Sequence, residues 1–201
     1  MTFFLSTQSV IAAEQNDPYV MIKEVAGLTF ERMKTEKDAI KQDPELLRKV
    51  MEEELLPYID YKFSAFKVLG KQANQIPREK LLEFISVFRE YLITSYAVAL
   101  GYYDDQVVEF APAVDFSGRA DVTVRAVIKD DVRPDIKVAF KVRKDRKSDK
   151  WQAYDMVAEG ISLLSSKRSE FESILRTEGV DKVIELMRES IDQPIVLEAN
   201  D

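Results

Sequence analysis

Between Asp17 and Leu100 the apolar residues recur with a helical period. Asp17-Pro18 sets a capping side chain before a proline at the first helical position, a strong start signal. Val20, Val25, Leu28 and Met33 follow, separated by Glu and Lys. Asp43-Pro44 repeats the signature and predicts a second helix presenting Leu47, Val50, Met51 and Leu55 before Pro57. Ile59, Phe63 and Phe66 mark a third helix ending near Gly70. Pro77 opens a long one with a stripe of Leu81, Phe84, Phe88, Tyr91, Ser95 and Val98. Ile85, Leu92 and Tyr96 lie beside that stripe, so both its flanks should be buried.

After Gly101 the period falls to two. Residues 107–114 predict an edge strand, because Pro112 has no N–H for a ladder. In 121–128, Val122, Val124, Ala126 and Ile128 share a face; in 136–142, Ile136, Val138, Phe140 and Val142 do. Antiparallel pairing of Ile128 with Ile136 puts both sets on one side. Trp151 to Ala158 predicts a fourth strand, placed centrally because both its faces are largely apolar. Helices over 166–177 and 180–191 follow, parted by Gly179, then a tail with a short strand at Ile195–Leu197. Helices, an antiparallel meander of about four strands, then helices define an α+β class, with helices packed on one sheet face. Residues 14–201 read as a single domain without repeats or linkers.

Composition narrows the chemistry. A chain of 201 residues, 46% hydrophobic, can bury roughly 70% of its unfolded surface. It has no His and no Cys, which removes Ser-His-Asp and Cys-His catalysis, thiol redox chemistry and the usual zinc sites. No metal or cofactor is expected. The net charge of −7 argues against a general nucleic-acid binder. The six glycines are scattered singly, so no phosphate loop exists. The pairs Asp104-Asp105 and Asp130-Asp131 read as turn residues, and Glu52-Glu53-Glu54 as a solvated helix face. Asp155, in an apolar strand, is either a general base or the partner of an arginine such as Arg89 or Arg143.

Arg125, Lys137, Lys141 and Arg143 share the outer sheet face, adjoined by Lys144, Arg146 and Lys147. This is a solvated face with lysine edge protection, or a docking surface for an acidic partner or anionic lipid. The twenty aromatic residues either fill a core or line a cavity, and periodicity does not separate the two. Residues 1–13 are uncharged and end in Ala12-Ala13, like the back half of a secretory signal without its basic opening. No later stretch reaches 18 uninterrupted apolar residues.

Several segments together resemble a known family: Asp17-Pro18-Tyr19, residues 54–60 (Glu-Leu-Leu-Pro-Tyr-Ile-Asp), Leu69-Gly70, residues 88–92 (Phe-Arg-Glu-Tyr-Leu), the run from Trp151 to Ser162, and residues 175–179 (Leu-Arg-Thr-Glu-Gly). Their order and spacing are similar to the MlaC, or toluene-tolerance, family of periplasmic phospholipid-binding proteins. The resemblance spans about residues 17–198. It implies a monomeric, non-enzymatic carrier in the periplasm of a Gram-negative envelope. Such a carrier maintains outer-membrane lipid asymmetry, with a curved sheet and helices enclosing an apolar cavity for acyl chains. Its implied partners are phospholipid, an outer-membrane lipoprotein–porin complex and the MCE-domain component of an inner-membrane ABC transporter.

The family brings no residue set to carry over, so lipid-binding positions are assigned by inward placement. On the sheet these are Val124, Ala126, Ile128, Ile136, Val138, Phe140 and Met156; on the helices, Ile59, Phe63, Phe66, Phe84, Phe88, Leu92 and Tyr96. Two alternatives stay open. One is a chaperone whose apolar groove takes polypeptide. The other is a cone-shaped NTF2-like enzyme with Asp155 as base and Tyr154 or Tyr96 as acid.

Overall fold

A computed structural model describes residues 15–103, 106–130 and 134–197. The signal-like segment 1–13, Asp104, Asp105 and Asp131 lie outside the described residues. Helix α1 (Pro18–Thr35) starts where expected: the Asp17 carboxylate accepts from the N–H groups of Tyr19 and Val20 at 2.7 and 3.1 Å. Its buried face is Met21, Val25, Thr29 and Met33, with Ile22 beside it, a spacing of four that leaves Val20 and Leu28 on the exposed side. A short α2 (Lys37–Gln42), unannounced by the apolar pattern, precedes α3 (Leu46–Val50). The predicted second helix therefore begins later than Pro44. It widens into a π-turn at Met51–Leu55 and ends as a 3-10 turn at Leu56–Tyr58.

Asp60 caps α4 (Tyr61–Leu69), accepting from the Phe63 N–H at 3.0 Å. Helix α5 (Arg78–Leu100) follows Pro77 and spans 23 residues. The strands are β1 (Val107–Phe110), β2 (Asp121–Lys129), β3 (Ile136–Lys144), β4 (Trp151–Ala158) and β5 (Ile161–Ser162). They form a curved, open antiparallel sheet in sequence order, with Ile128 opposite Ile136. The fifth strand exists because Glu159 and Gly160 both take positive φ (49° and 81°). Two such residues make the primed turn whose twist matches the flanking strands. β3 is central, whereas β4 lies next to the two-residue edge strand β5. Helices α1, α4 and α6 all contact β4, so its apolar residues do not require a central position.

Helices α6 (Leu163–Thr177) and α7 (Val180–Ile191) complete the chain, with Gly179 between them at φ 84°. Ile195–Leu197 is not a strand. Ile195 is buried with Met33, Leu47 and Ala97, and its N–H donates to Glu45 Oε1 at 2.8 Å. Among the described residues the two largest of four packed clusters join different elements. One joins α4–α7 through Phe84, Phe88, Tyr91, Phe171, Val183 and Met187. The other sets Met21, Ile22 and Val25 of α1 against Val122, Val124, Val142 and Trp151 of the sheet.

Candidate functional site

Between the sheet and helices α1 and α5 the interior is not filled. A cavity of about 320 Å³ lies there, within the range of small-molecule sites. Helix α1 contributes Ile22, Val25, Ala26, Thr29 and Phe30, one face at i, i+3, i+4, i+7 and i+8. Helix α5 and its exit contribute Leu92, Tyr96, Ala99, Leu100 and Tyr103. Ile128, Ile136, Val138, Phe140, Ala153 and Met156 form the sheet wall. Phe140 and Met156 are cross-strand partners, as are Ile128 and Ile136. A bulge between Lys141 and Val142 shifts the β4 register, so Ala153 and Met156 both reach the cavity despite odd spacing. Tyr102 (50% exposed) and Ile136 (43% exposed) border the cavity and also meet solvent, which marks its mouth.

The wall is held by charge on its outer side. Arg32 of α1 bonds Glu53 and Glu54 at 2.7 and 2.9 Å and Glu36 at 3.0 Å. Burial alone would lower its pKa, but the carboxylates, Glu53 first, raise it well above the ordinary value. Arg89 of α5 bonds Glu52 at 2.5 Å. The run Glu52-Glu53-Glu54 is thus not merely solvated. It ties the π-turn to α1 and α5, and Leu55, Tyr58 and Ile59 just beyond it enter the cavity wall.

The polar side chains at the cavity are largely committed to the protein itself. The Thr29 hydroxyl donates to the Val25 carbonyl, and that of Ser64 to the Tyr154 carbonyl, both at 2.7 Å. Asp155 accepts from Ser162 Oγ at 2.7 Å and from the Leu164 N–H at 3.1 Å, and Lys141 Nζ lies 3.0 Å from it. Its partner is therefore a lysine and a helix start, not Arg89 or Arg143. Burial, then the bond to Asp121, pushes the Tyr154 phenol up to about 12. Burial, reinforced by Asp155, raises Tyr96 further still.

Of the fourteen positions expected to face a cavity, Ile59, Leu92, Tyr96, Ile128, Ile136, Val138, Phe140 and Met156 border it. Six lie elsewhere. Phe84 and Phe88 are fully buried and stack with centroids 5.8 Å apart in the α4–α7 core, because α5 turns that face away from the sheet. Helix α4 buries Ser64, Ala65, Val68 and Leu69, which leaves Phe66 exposed. Phe63 is held edge-on to Tyr154 and under the Arg143 guanidinium. Val124 packs against α1, and Ala126 is sealed within the sheet interior.

The basic face is also less free than its sequence suggests. Lys141 pairs with Asp155 and Arg143 with Asp60, while Arg125 and Lys137 remain exposed.

The solved phospholipid-binding protein from Ralstonia solanacearum, determined in complex with a phospholipid, superposes with a TM-score of 0.77. The match covers 87% of this chain and 97% of that one at 20% identity, a likeness of fold. An intermembrane phospholipid transport system binding protein, MlaC, from Haemophilus influenzae is 32% identical over 197 residues, covering 98% of this chain and 91% of that protein. The family model of the MlaC protein matches residues 23–189, so a chain whose sheet and helices leave this greasy gap between them belongs to the MlaC family.

Proposed function

We propose that this protein is a periplasmic carrier that shelters the acyl chains of a glycerophospholipid while moving it between the inner and outer membranes. The observation that carries the reading is the open, predominantly apolar cavity between α1, α5 and the sheet. Exposing hydrocarbon is costly: at about 0.8 kcal/mol per methylene, a sixteen-carbon chain costs on the order of 13 kcal/mol and a diacyl lipid about twice that. A carrier needs apolar walls and few unsatisfied polar groups, and Thr29, Ser64 and Asp155 are satisfied within the protein. The transport system named for the Haemophilus influenzae relative and the phospholipid in the Ralstonia solanacearum protein support the same reading.

In this reading the lipid-contacting residues are the eight expected positions at the cavity together with Ile22, Val25, Ala26, Phe30 and Leu100. The carrier docks on an outer-membrane lipoprotein–porin complex and on an inner-membrane MCE-domain transporter. Release at each depends on a difference in affinity between carrier and complex. Arg125 and Lys137, exposed on one sheet face, are the cations open to an acidic docking surface. The protein acts without catalysis: recruiting Asp155 as a base would deprive Ser162 and the Leu164 amide, at the start of α6, of their acceptor.

Solvent extraction or native mass spectrometry of protein purified from a membrane-containing host tests the reading. Phospholipid is expected in near-stoichiometric amount. Empty protein from several such hosts would overturn it.

A further inference from the structure

One polar group at the cavity is not committed to the protein. Tyr96 stands on α5 between Leu92 and Leu100, all three bordering the cavity. Among the described residues no hydrogen bond holds its hydroxyl, in contrast to Thr29, Ser64 and Asp155 beside the same space, and because no buried polar side-chain atom there lacks a partner, this oxygen faces the open space of the cavity. Cargo that fills the cavity displaces the water this phenol would otherwise bond, and leaving it without an acceptor then costs about as much free energy as the bond itself contributes. Nothing in the packing requires that oxygen, since the ring alone would supply the apolar wall. The hydroxyl is therefore placed to meet something that enters.

The surroundings select what that something is. Burial keeps the phenol protonated across the physiological range, so it acts as a donor. Its field includes the Asp155 carboxylate, whose own donors are already Lys141, Ser162 and the Leu164 amide. An anionic phosphate oxygen would be repelled by that carboxylate, whose lysine is already engaged, at a cost in a low dielectric. A neutral carbonyl would not. A glycerophospholipid has such acceptors where its hydrocarbon begins, in the acyl ester carbonyls.

We infer that Tyr96 is a specificity-determining residue, donating a hydrogen bond from inside the cavity to an acyl ester carbonyl of the cargo. This deepens the carrier reading and rests on it. The bond sets the depth at which the glycerol backbone stops and distinguishes ester-linked from ether-linked lipids of the same chain length.

The test pairs a diacyl phosphatidylethanolamine with its dialkyl ether analogue, each offered to delipidated full-length protein and to Tyr96→Phe. Wild type is expected to bind the ester lipid about three- to tenfold more tightly than the ether lipid, the span of one net hydrogen bond. In Tyr96→Phe that ratio should fall towards one, with ether-lipid affinity unchanged. Circular dichroism and denaturant midpoints should show the variant folded, because the ring is kept. An equal ratio in both proteins, or no ester preference in wild type, overturns the inference and leaves the carrier intact. Failure of both proteins to bind either lipid would instead sink the carrier reading.

Discussion

Lys141 and Asp155 face each other across β3 and β4, Nζ to Oδ2 at 3.0 Å. The lysine is one-third exposed and the carboxylate almost wholly buried, at 35% and 3% of their side-chain surfaces. The same carboxylate receives Ser162 Oγ and the Leu164 amide, and Ser162 Oγ accepts from the Ser165 N–H at 3.0 Å. One acid thus joins the sheet, the cavity wall and the first turn of α6. Asp155→Ala is expected to destabilise the fold by about 2–4 kcal/mol, because it strips a buried amide and a lysine of their partner. Ser162→Ala should cost about 1 kcal/mol, the value of a helix cap. Urea denaturation measures both, and equal costs would deny Asp155 its central place.

The same pairing separates the basic residues. Lys141→Glu sets a second carboxylate against Asp155 and should destabilise by about 1–3 kcal/mol. Lys137→Glu, at an exposed position, should stay within about 0.5 kcal/mol. Denaturant midpoints of the two variants decide this.

Adjacent sheet positions should respond oppositely to bulk. Val138 borders the cavity, so Val138→Trp has space to occupy and should displace lipid while the protein stays folded. Ala126, its cross-strand partner, is 3% exposed and does not border the cavity. Ala126→Trp should cost about 1–3 kcal/mol through overpacking. Lipid content and thermal midpoint of each variant check the contrast; a full lipid load in Val138→Trp would remove this wall from the site.

Phe84 and Phe88 test the division between core and cavity. Truncating either to Ala should cost about 3–5 kcal/mol, as for large buried aromatics. Lipid bound per folded molecule should not change, since neither ring borders the cavity. Reduced loading in protein that remains folded would extend the cavity into the α4–α7 core.

Alkaline stability should fall through the tyrosines. A phenol with a raised folded pKa gives stability fully present below its unfolded value near 10 and lost as pH rises through its folded value. For Tyr154 the window is 10 to about 12. Tyr154→Phe should flatten this part of the stability curve relative to wild type, read as denaturant midpoints between about pH 9 and 12. Parallel curves would show that Tyr154 titrates alike in both states.

Local rules decided the elements. Asp17-Pro18, Pro77, Gly101 and Gly179 bound helices where capping and backbone freedom place them, and the alternation in β2 and β3 fixed Ile128 opposite Ile136. The face Ile22, Val25, Ala26, Thr29 and Phe30 was legible too, at helical spacing, but Val20 and Leu28 drew attention to the wrong side of α1. The short α2 buries one apolar residue, Ile40, too few for a periodic signal, and the π-turn at Met51–Leu55 lies where Glu52, Glu53 and Glu54 pair with Arg89 and Arg32, distant in sequence.

The sequence by itself determined an α+β chain, the register of β2 on β3 and, through its resemblance, the family. Only the tertiary structure decided which apolar faces meet each other and which face a gap. Phe84 and Phe140 follow the same rule of burial, yet one closes a packed core and the other borders the cavity. The reason is that periodicity records a side chain's removal from water, which packing and a sheltered hollow provide equally. What fills the far side depends on helices and strands brought together from distant parts of the chain.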